Sequence, residues 1–408
     1  MAVVGPRLSL RRRAYFALLY FSEGAPIGYL WWALPTRLRA AGMPVDEVAG
    51  LTALLALPWA LKFLWAPAVD RLRGPRWGYR AWITVAQLAM GLTLLPLALF
   101  PLEELLGWAM VVLLAHAFAA ATQDVAIDAL AVASVPADDR GRVSGWMQAG
   151  MLVGRGLFGG LALAAEAWIG ARAVVLVLLA SVWATLAVVW LVPLPGAAAV
   201  DRPAQAPPLM RTLREVLQRR STWAALGIAL LAGAGFEAAG GLMGPYLLDR
   251  SIAQEAVGWF FALPVVVGMI LGSLLGGWAA DRGGHRALVG GSVLAVGASV
   301  ALLAVGDAGL GLRGAALMGA ALPLYLALGC LTASSYALFM DLADPRIGGT
   351  QFSAYMGATN LCEVWAVALG GRLAADLGYP SAFLALAGAS MLALPLLPAA
   401  RPSRRRGA

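Results

Sequence analysis

Metal-ligating and nucleophilic side chains are scarce in this chain. Two cysteines, Cys330 and Cys362, and two histidines, His116 and His285, are all that its 408 residues hold. No Cys-x-x-Cys, His-Glu-x-x-His or glycine-rich phosphate loop occurs, so no metal, cofactor or nucleotide site announces itself. Both cysteines stand in apolar runs, where buried reduced thiols are expected rather than a disulfide. Charge is scarce as well: 13% of residues are charged against 61% hydrophobic, and mean hydropathy is +0.78. That balance excludes a soluble domain and calls for a polytopic protein in a lipid bilayer. The net charge of +8 does not imply nucleic acid, because the arginines stand in short loops between apolar runs and set topology.

Apolar runs long enough to cross a bilayer number twelve. Their limits are 14–34, 47–69, 79–100, 106–135, 141–166, 172–194, 222–247, 255–279, 286–306, 313–341, 348–374 and 380–399. They are called spans one to twelve below. Arginines 11–13 ahead of AYFALLYF imitate the start of a signal peptide, but Glu23 breaks the run, and the segment is read as span one. Loops on the side of the N-terminus, with both termini, hold 22 Lys and Arg; the opposite loops hold 6. That bias predicts cytoplasmic termini. Residues 195–221 form the longest connection, first rich in proline and alanine, then an amphipathic stretch with Leu209, Met210, Leu213, Val216 and Leu217 on one face. An interfacial helix is expected there.

The two halves look duplicated. FSEGAPIGYL (21–30) returns as GFEAAGGLMG (235–244), APAVDRLRGPR (66–76) as GGWAADRGGHR (276–286), and SGWMQAG (144–150) as SAYMGAT (353–359). The expected fold class is all-α, with twelve transmembrane helices in two pseudo-symmetric six-helix bundles. Residues 1–195 would form the first bundle, 196–221 the central cytoplasmic loop, and 222–408 the second bundle with a basic tail.

Ionisable residues inside these spans stand out because a charge at mid-bilayer costs at least ~2.5–3.5 kcal/mol. Asp124 and Asp128, four apart, share one helix face. Glu23 and Arg155 fall at a similar depth, and a deep arginine calls for a carboxylate, here Asp124 or Glu23. Asp128 is one turn nearer the cytoplasm, where Lys62, Arg140 or Arg142 could lock it as well as a substrate could. Glu237 and Glu363 have no intramembrane cation in their half, which favours a protonated carboxyl and makes them candidate proton carriers. Asn360 is a neutral hydrogen-bonding alternative beside Glu363. Lys62 is the single lysine of the chain, and its compact, tunable charge suits an anion or carboxylate better than an arginine fork would. His116 is read as a hydrogen-bonded packing residue. Gly150 with Gly154, and Gly268, Gly272 and Gly276, mark faces of close helix approach. Pro58 and Pro264 are candidate kinks, and Trp31 and Trp32 a candidate interfacial belt.

The Asp70-Arg71 and Asp281-Arg282 loops resemble the loop signature of the major facilitator superfamily. KFLWAPAVDR (62–71), ATQDVAID (121–128) and TQFS (350–353) resemble more narrowly the peptide–acetyl-CoA transporter family. Its members include AmpG-type muropeptide permeases, acetyl-CoA transporters and some siderophore permeases. The resemblance implies a central cavity lined by the first, fourth, seventh and tenth helices, contact between helices five and eight, and gating by Asp70, Arg71, Asp281 and Arg282. It implies a monomeric permease of the bacterial inner membrane that moves a small amphipathic solute by alternating access, with protons as the coupling partner and no cofactor. Anhydromuropeptide import is the expected activity, and a siderophore or acyl-CoA-type anion the alternative. A membrane-embedded enzyme is the remote alternative, since no nucleophile–base pair or metal cluster supplies its chemistry.

Overall fold

Backbone amides in hydrocarbon must be bonded within their own segment, so each apolar run has to fold as a helix. The computed structural model describes residues 9–72, 77–100, 108–135, 140–192, 214–344 and 348–401, and helices occupy every span. Span one is Leu10–Gly28, a π-helical turn Tyr29–Ala33 and Leu34–Ala40; spans two, three and four are Val45–Leu61, Tyr79–Leu99 and Ala109–Ser134. Span five runs Arg140–Arg155, π-helical Gly156–Leu161 and Ala162–Ile169, and span six Ala171–Leu191. Span seven is built from Arg220–Leu231, Ala234–Gly241 and Met243–Asp249; span eight from Gln254–Phe260, π-helical Phe261–Val265 and Val266–Gly283. Span nine is His285–Ala304 with the π-helical Val305–Gly309; spans ten, eleven and twelve are Gly314–Leu342, Gly348–Leu377 and Tyr379–Met391.

Ten helices among the described residues are long and apolar enough to cross a membrane; those of spans one and eleven are not among them. Span one carries three arginines and Glu23, and span eleven carries Thr350, Gln351, Ser353, Asn360 and Glu363. Polar content, not length, sets these two apart: their helices run 19 and 30 residues. Leu191, Leu263 and Leu274 stand exposed on helix surfaces, as side chains that face hydrocarbon do.

The chain divides into two compact units, neither of them a continuous half. The first comprises Met1–Leu34, Leu64–Arg202 and Gln254–Leu263; the second Pro35–Phe63, Pro203–Ala253 and Pro264–Ala408. In the first unit span one packs along span five, and span three between four and six. Apolar surface gains nothing by leaving lipid for protein, so close backbone packing must hold such helices together. Glycines provide it: a Cβ on Gly28 would lie 2.6 Å from the Cα of Arg155, and one on Gly154 2.7 Å from the carbonyl of Phe21. The Gln254–Phe260 helix packs on Ala162–Ile169 in the same unit.

In the second unit span two packs along span eleven, and span eight along span ten. A Cβ on Gly276 would lie 2.7 Å from the Cα of Cys330, and one on Gly329 2.6 Å from the amide of Ser273. The glycine stripes therefore mark close approach, but with other partners than the resemblance implied. Gly150 and Gly154 face span one, and Gly272 and Gly276 face span ten. Spans five and eight meet further along, at Gly160 against Ala262 and Gly258 against Ala164. Pro58 sits inside an unbroken helix that tightens to 3-10 at Lys62–Leu64, while Pro264 lies in the π-helical turn of span eight. Trp32 is buried and stacks on Phe261 at 5.1 Å between centroids, so it packs in the protein instead of joining a belt. Of the stretch expected to form an interfacial helix the described residues begin at 214, and 214–217 are helical, with Val216 buried and Leu217 exposed.

Candidate functional site

In the first unit, Tyr20 and Glu23 stand three residues apart on span one, and Asp124 and Asp128 four apart on span four. Each pair shares a helix face. Glu23 and Asp124 are 2% and 4% exposed, which puts both carboxyls in the interior. Tyr20 donates its phenolic hydrogen bond to Asp128. The sequence offers Lys62, Arg140, Arg142 or a substrate as partners for that carboxylate and does not single out Tyr20.

Beside this stripe lies a neutral node. Ser22 accepts hydrogen bonds from the side-chain amides of Gln87 (2.9 Å) and Gln123 (2.8 Å) and donates to the carbonyl of Leu19 (2.7 Å). One hydroxyl offers one donor and two acceptor sites, so Ser22 is saturated. All three side chains are fully buried, and they tie spans one, three and four together next to Glu23 and Asp124. The sequence signal was faint: neutral polar residues in apolar runs, two of them adjacent to the carboxylates.

Arg155 is half-buried on span five, its backbone against Gly28, and its Nε is buried with no hydrogen-bond partner among the described residues. His116 is buried, with Nδ1 3.1 Å from the carbonyl of Met90 and 3.0 Å from Thr93 Oγ1. Those bonds suit a packing histidine.

In the second unit Glu237 and Glu363 are both half-buried. Cys362, fully buried, lies within electrostatic reach of both carboxyls. The Glu237 carboxylate turns back on its own helix, where a Cβ on Gly233 would lie 3.4 Å from Oε1 and 3.8 Å from Cys362 Sγ. Asn360 donates to the carbonyl of Trp59 at 3.1 Å. Lys62 is half-buried in its 3-10 turn at the end of span two. Gln351, from the TQFS stretch, accepts the backbone N–H of Asp344 (2.8 Å) and donates to Tyr355 (2.5 Å). Arg219 pairs with that same Asp344 at 2.8 Å.

Of the four expected gating residues, the side chains of Asp70, Arg71 and Asp281 lie outside the described residues. Arg282 is exposed, donates to the carbonyl of Trp278 (3.2 Å) and lies 4.1 Å over its ring.

At the opposite ends of the helices the second unit holds two ion-pair clusters that sequence reasoning missed. Arg39 grips Asp249 through Nε at 2.8 Å and Nη2 at 2.9 Å, and Tyr379 donates to the same carboxylate at 2.7 Å. Arg250 forks onto Asp307 at 2.7 and 2.5 Å, with Arg313 adding a contact at 3.1 Å. Hydrogen bonding to Asp307 holds the Arg250 guanidinium above its ordinary pKa. Nothing in the sequence flags pairs separated by 210 and 57 residues.

The sequence profile described as Major Facilitator Superfamily matches residues 16–328 and 225–408. The anhydromuropeptide permease of Escherichia coli K12 is 26% identical over 397 residues, covering 95% of this chain and 79% of that protein. The 3-(3-hydroxy-phenyl)propionate transporter of the same organism is 32% identical over 160 residues, 39% of this chain and 36% of that one. Among solved structures, a nucleoside transporter superposes with a TM-score of 0.73 at 14% identity, over 95% of this chain and 99% of that one. A D-xylose–proton symporter superposes with a TM-score of 0.72 at 12% identity, over 94% and 95%. At such identities the structures speak for the fold alone.

Proposed function

The chain belongs to the Major Facilitator Superfamily, as a multi-pass membrane transporter and not an enzyme, and we propose that it imports an anhydromuropeptide by proton-coupled alternating access. Similarity to the anhydromuropeptide permease along 95% of the chain supports the substrate class. The coupling rests on one observation, the carboxyls of Glu23 and Asp124 buried in the interior of the first unit. Holding a carboxylate charged away from water is costly, and alternating access changes which side's water can reach it.

In this reading Glu23, Asp124, Asp128 and Arg155 meet substrate or proton in the first half, and Lys62 offers an ammonium to an anionic group. Glu237 and Glu363 carry protons in the second half. Residues 1–195 and 222–408 rock about the loop 196–221, and the Asp70-Arg71 and Asp281-Arg282 loops steady one access state. The protein is a monomer of the bacterial inner membrane with both termini cytoplasmic.

Uptake into proteoliposomes decides it. Labelled anhydromuropeptide and a ferric siderophore are offered with and without an imposed pH gradient. The proposal expects accumulation of the muropeptide only, enhanced when the trans compartment is alkaline. Siderophore accumulation instead refutes the substrate, and gradient-independent accumulation refutes the coupling.

A further inference from the structure

We propose that Tyr20 is a positioning residue of this site, holding the Asp128 carboxylate through its phenolic O–H so that turnover depends on Asp128 in one orientation. The inference rests on the transport reading above. Three observations carry it. Tyr20 is buried, and its hydroxyl is spent on Asp128, 108 residues away, rather than on a nearby backbone carbonyl. Its position three residues before Glu23, facing a helix that bears Asp124 and Asp128, puts the phenol within electrostatic reach of all three carboxyls. Its ring belongs to the same buried cluster as Phe16, Ile127 and Leu130, so the ring is fixed by packing whatever its hydroxyl does.

The chemistry explains why a tyrosine serves here. A phenol donates a strong hydrogen bond to a carboxylate without neutralising its charge. An arginine in its place would add a permanent charge to the pair, and a phenylalanine would withdraw the O–H donor. A carboxylate that must take and release a proton or a solute each cycle needs orientation without permanent neutralisation. Tyr20 also stands one turn from Glu23 on its own helix, as Asp128 stands one turn from Asp124, so the contact joins the cytoplasmic rungs of a two-helix ladder.

Tyr20→Phe deletes the O–H and keeps the ring. Wild-type and variant proteoliposomes are compared for pH-driven uptake of labelled anhydromuropeptide, or of the ferric siderophore if the wild type accumulates that instead. Wild-type flux thus tests the transport reading separately. Loss of a hydrogen bond to a charged group predicts a fall in maximal rate of about tenfold or more, with the KM within about twofold of wild type. Because Tyr20 acts through Asp128, the substitution should cause no further loss in an Asp128→Asn background. Wild-type maximal rate in Tyr20→Phe overturns the proposal, and so does an equal fold-loss in both backgrounds. Should Tyr20→Phe fail to insert, Asp128→Glu tests the same contact by moving the carboxylate one methylene along; an unchanged maximal rate there refutes the role.

Discussion

Replacing Arg250 with alanine should destabilise the second unit far more than replacing Arg313, although both touch one carboxylate. The Asp307 side chain is 2% exposed, that of Arg250 24% and that of Arg313 58%. Arg250 contributes a two-point fork at 2.7 and 2.5 Å and lies 5.2 Å over the Tyr246 ring, whereas Arg313 contributes a single contact at 3.1 Å. Hydrogen bonds to a buried charge are worth about 1.5–3 kcal/mol, while a pair with one well-exposed partner is worth about 0–1 kcal/mol. The unit should therefore lose about 1.5–3 kcal/mol in Arg250→Ala and at most about 1 kcal/mol in Arg313→Ala. At about 2–4 °C per kcal/mol for a unit of this size, melting falls by about 3–12 °C in the first case and by no more than about 4 °C in the second. Cys362, fully buried, and Cys330, half-buried, report the transition in the same unit, through a thiol-reactive dye added to the heated, detergent-solubilised protein. Double-mutant cycles with Asp307→Asn isolate each pair. Equal losses for the two arginines, or an Arg250–Asp307 cycle that closes additively, would refute the reasoning from burial and geometry.

Glu237→Gln and Glu363→Gln should each abolish accumulation driven by a pH gradient while leaving exchange of preloaded substrate measurable; normal accumulation in both singles and the double places coupling elsewhere. Gly154→Ala should sharply reduce the yield of folded protein, because its Cβ would lie 2.7 Å from backbone atoms of span one. Gly145→Ala on the same helix, with nothing among the described residues within 4 Å, is the control and should express normally. Similar yields from the two would show that the glycine seam is not what holds spans one and five together.

The fold was legible in the sequence because the bilayer fixes helix length. A run of ~20 apolar residues has one regular solution in hydrocarbon, and each of the twelve runs is helical in the described residues. The charged residues of the candidate site stand out in the sequence for a related reason: Glu23, Asp124 and Arg155 are conspicuous where a charge is costly. Their neutral companions are not. Ser22, Gln87 and Gln123 cost far less to bury, and Tyr20 passes for an ordinary aromatic of a membrane helix. Pairing was the larger loss. A glycine stripe states that one face admits a close neighbour, but not which neighbour, so Gly150 and Gly154 gave the seam without naming span one.

Spans one and eleven tie these successes and failures together. Their helices are not among the ten that pass by length and hydropathy, and they carry Glu23 and Glu363. A helix that lines a polar site must replace apolar residues on one stripe, which lowers its mean hydropathy while its outer face still meets lipid or protein. Span four escapes this although it holds both Asp124 and Asp128, because the rest of Met110–Ala131 is apolar enough to compensate. Low hydropathy in an otherwise helical span is therefore a one-sided signal. It points to a polar stripe where it occurs, and an apolar average does not exclude one.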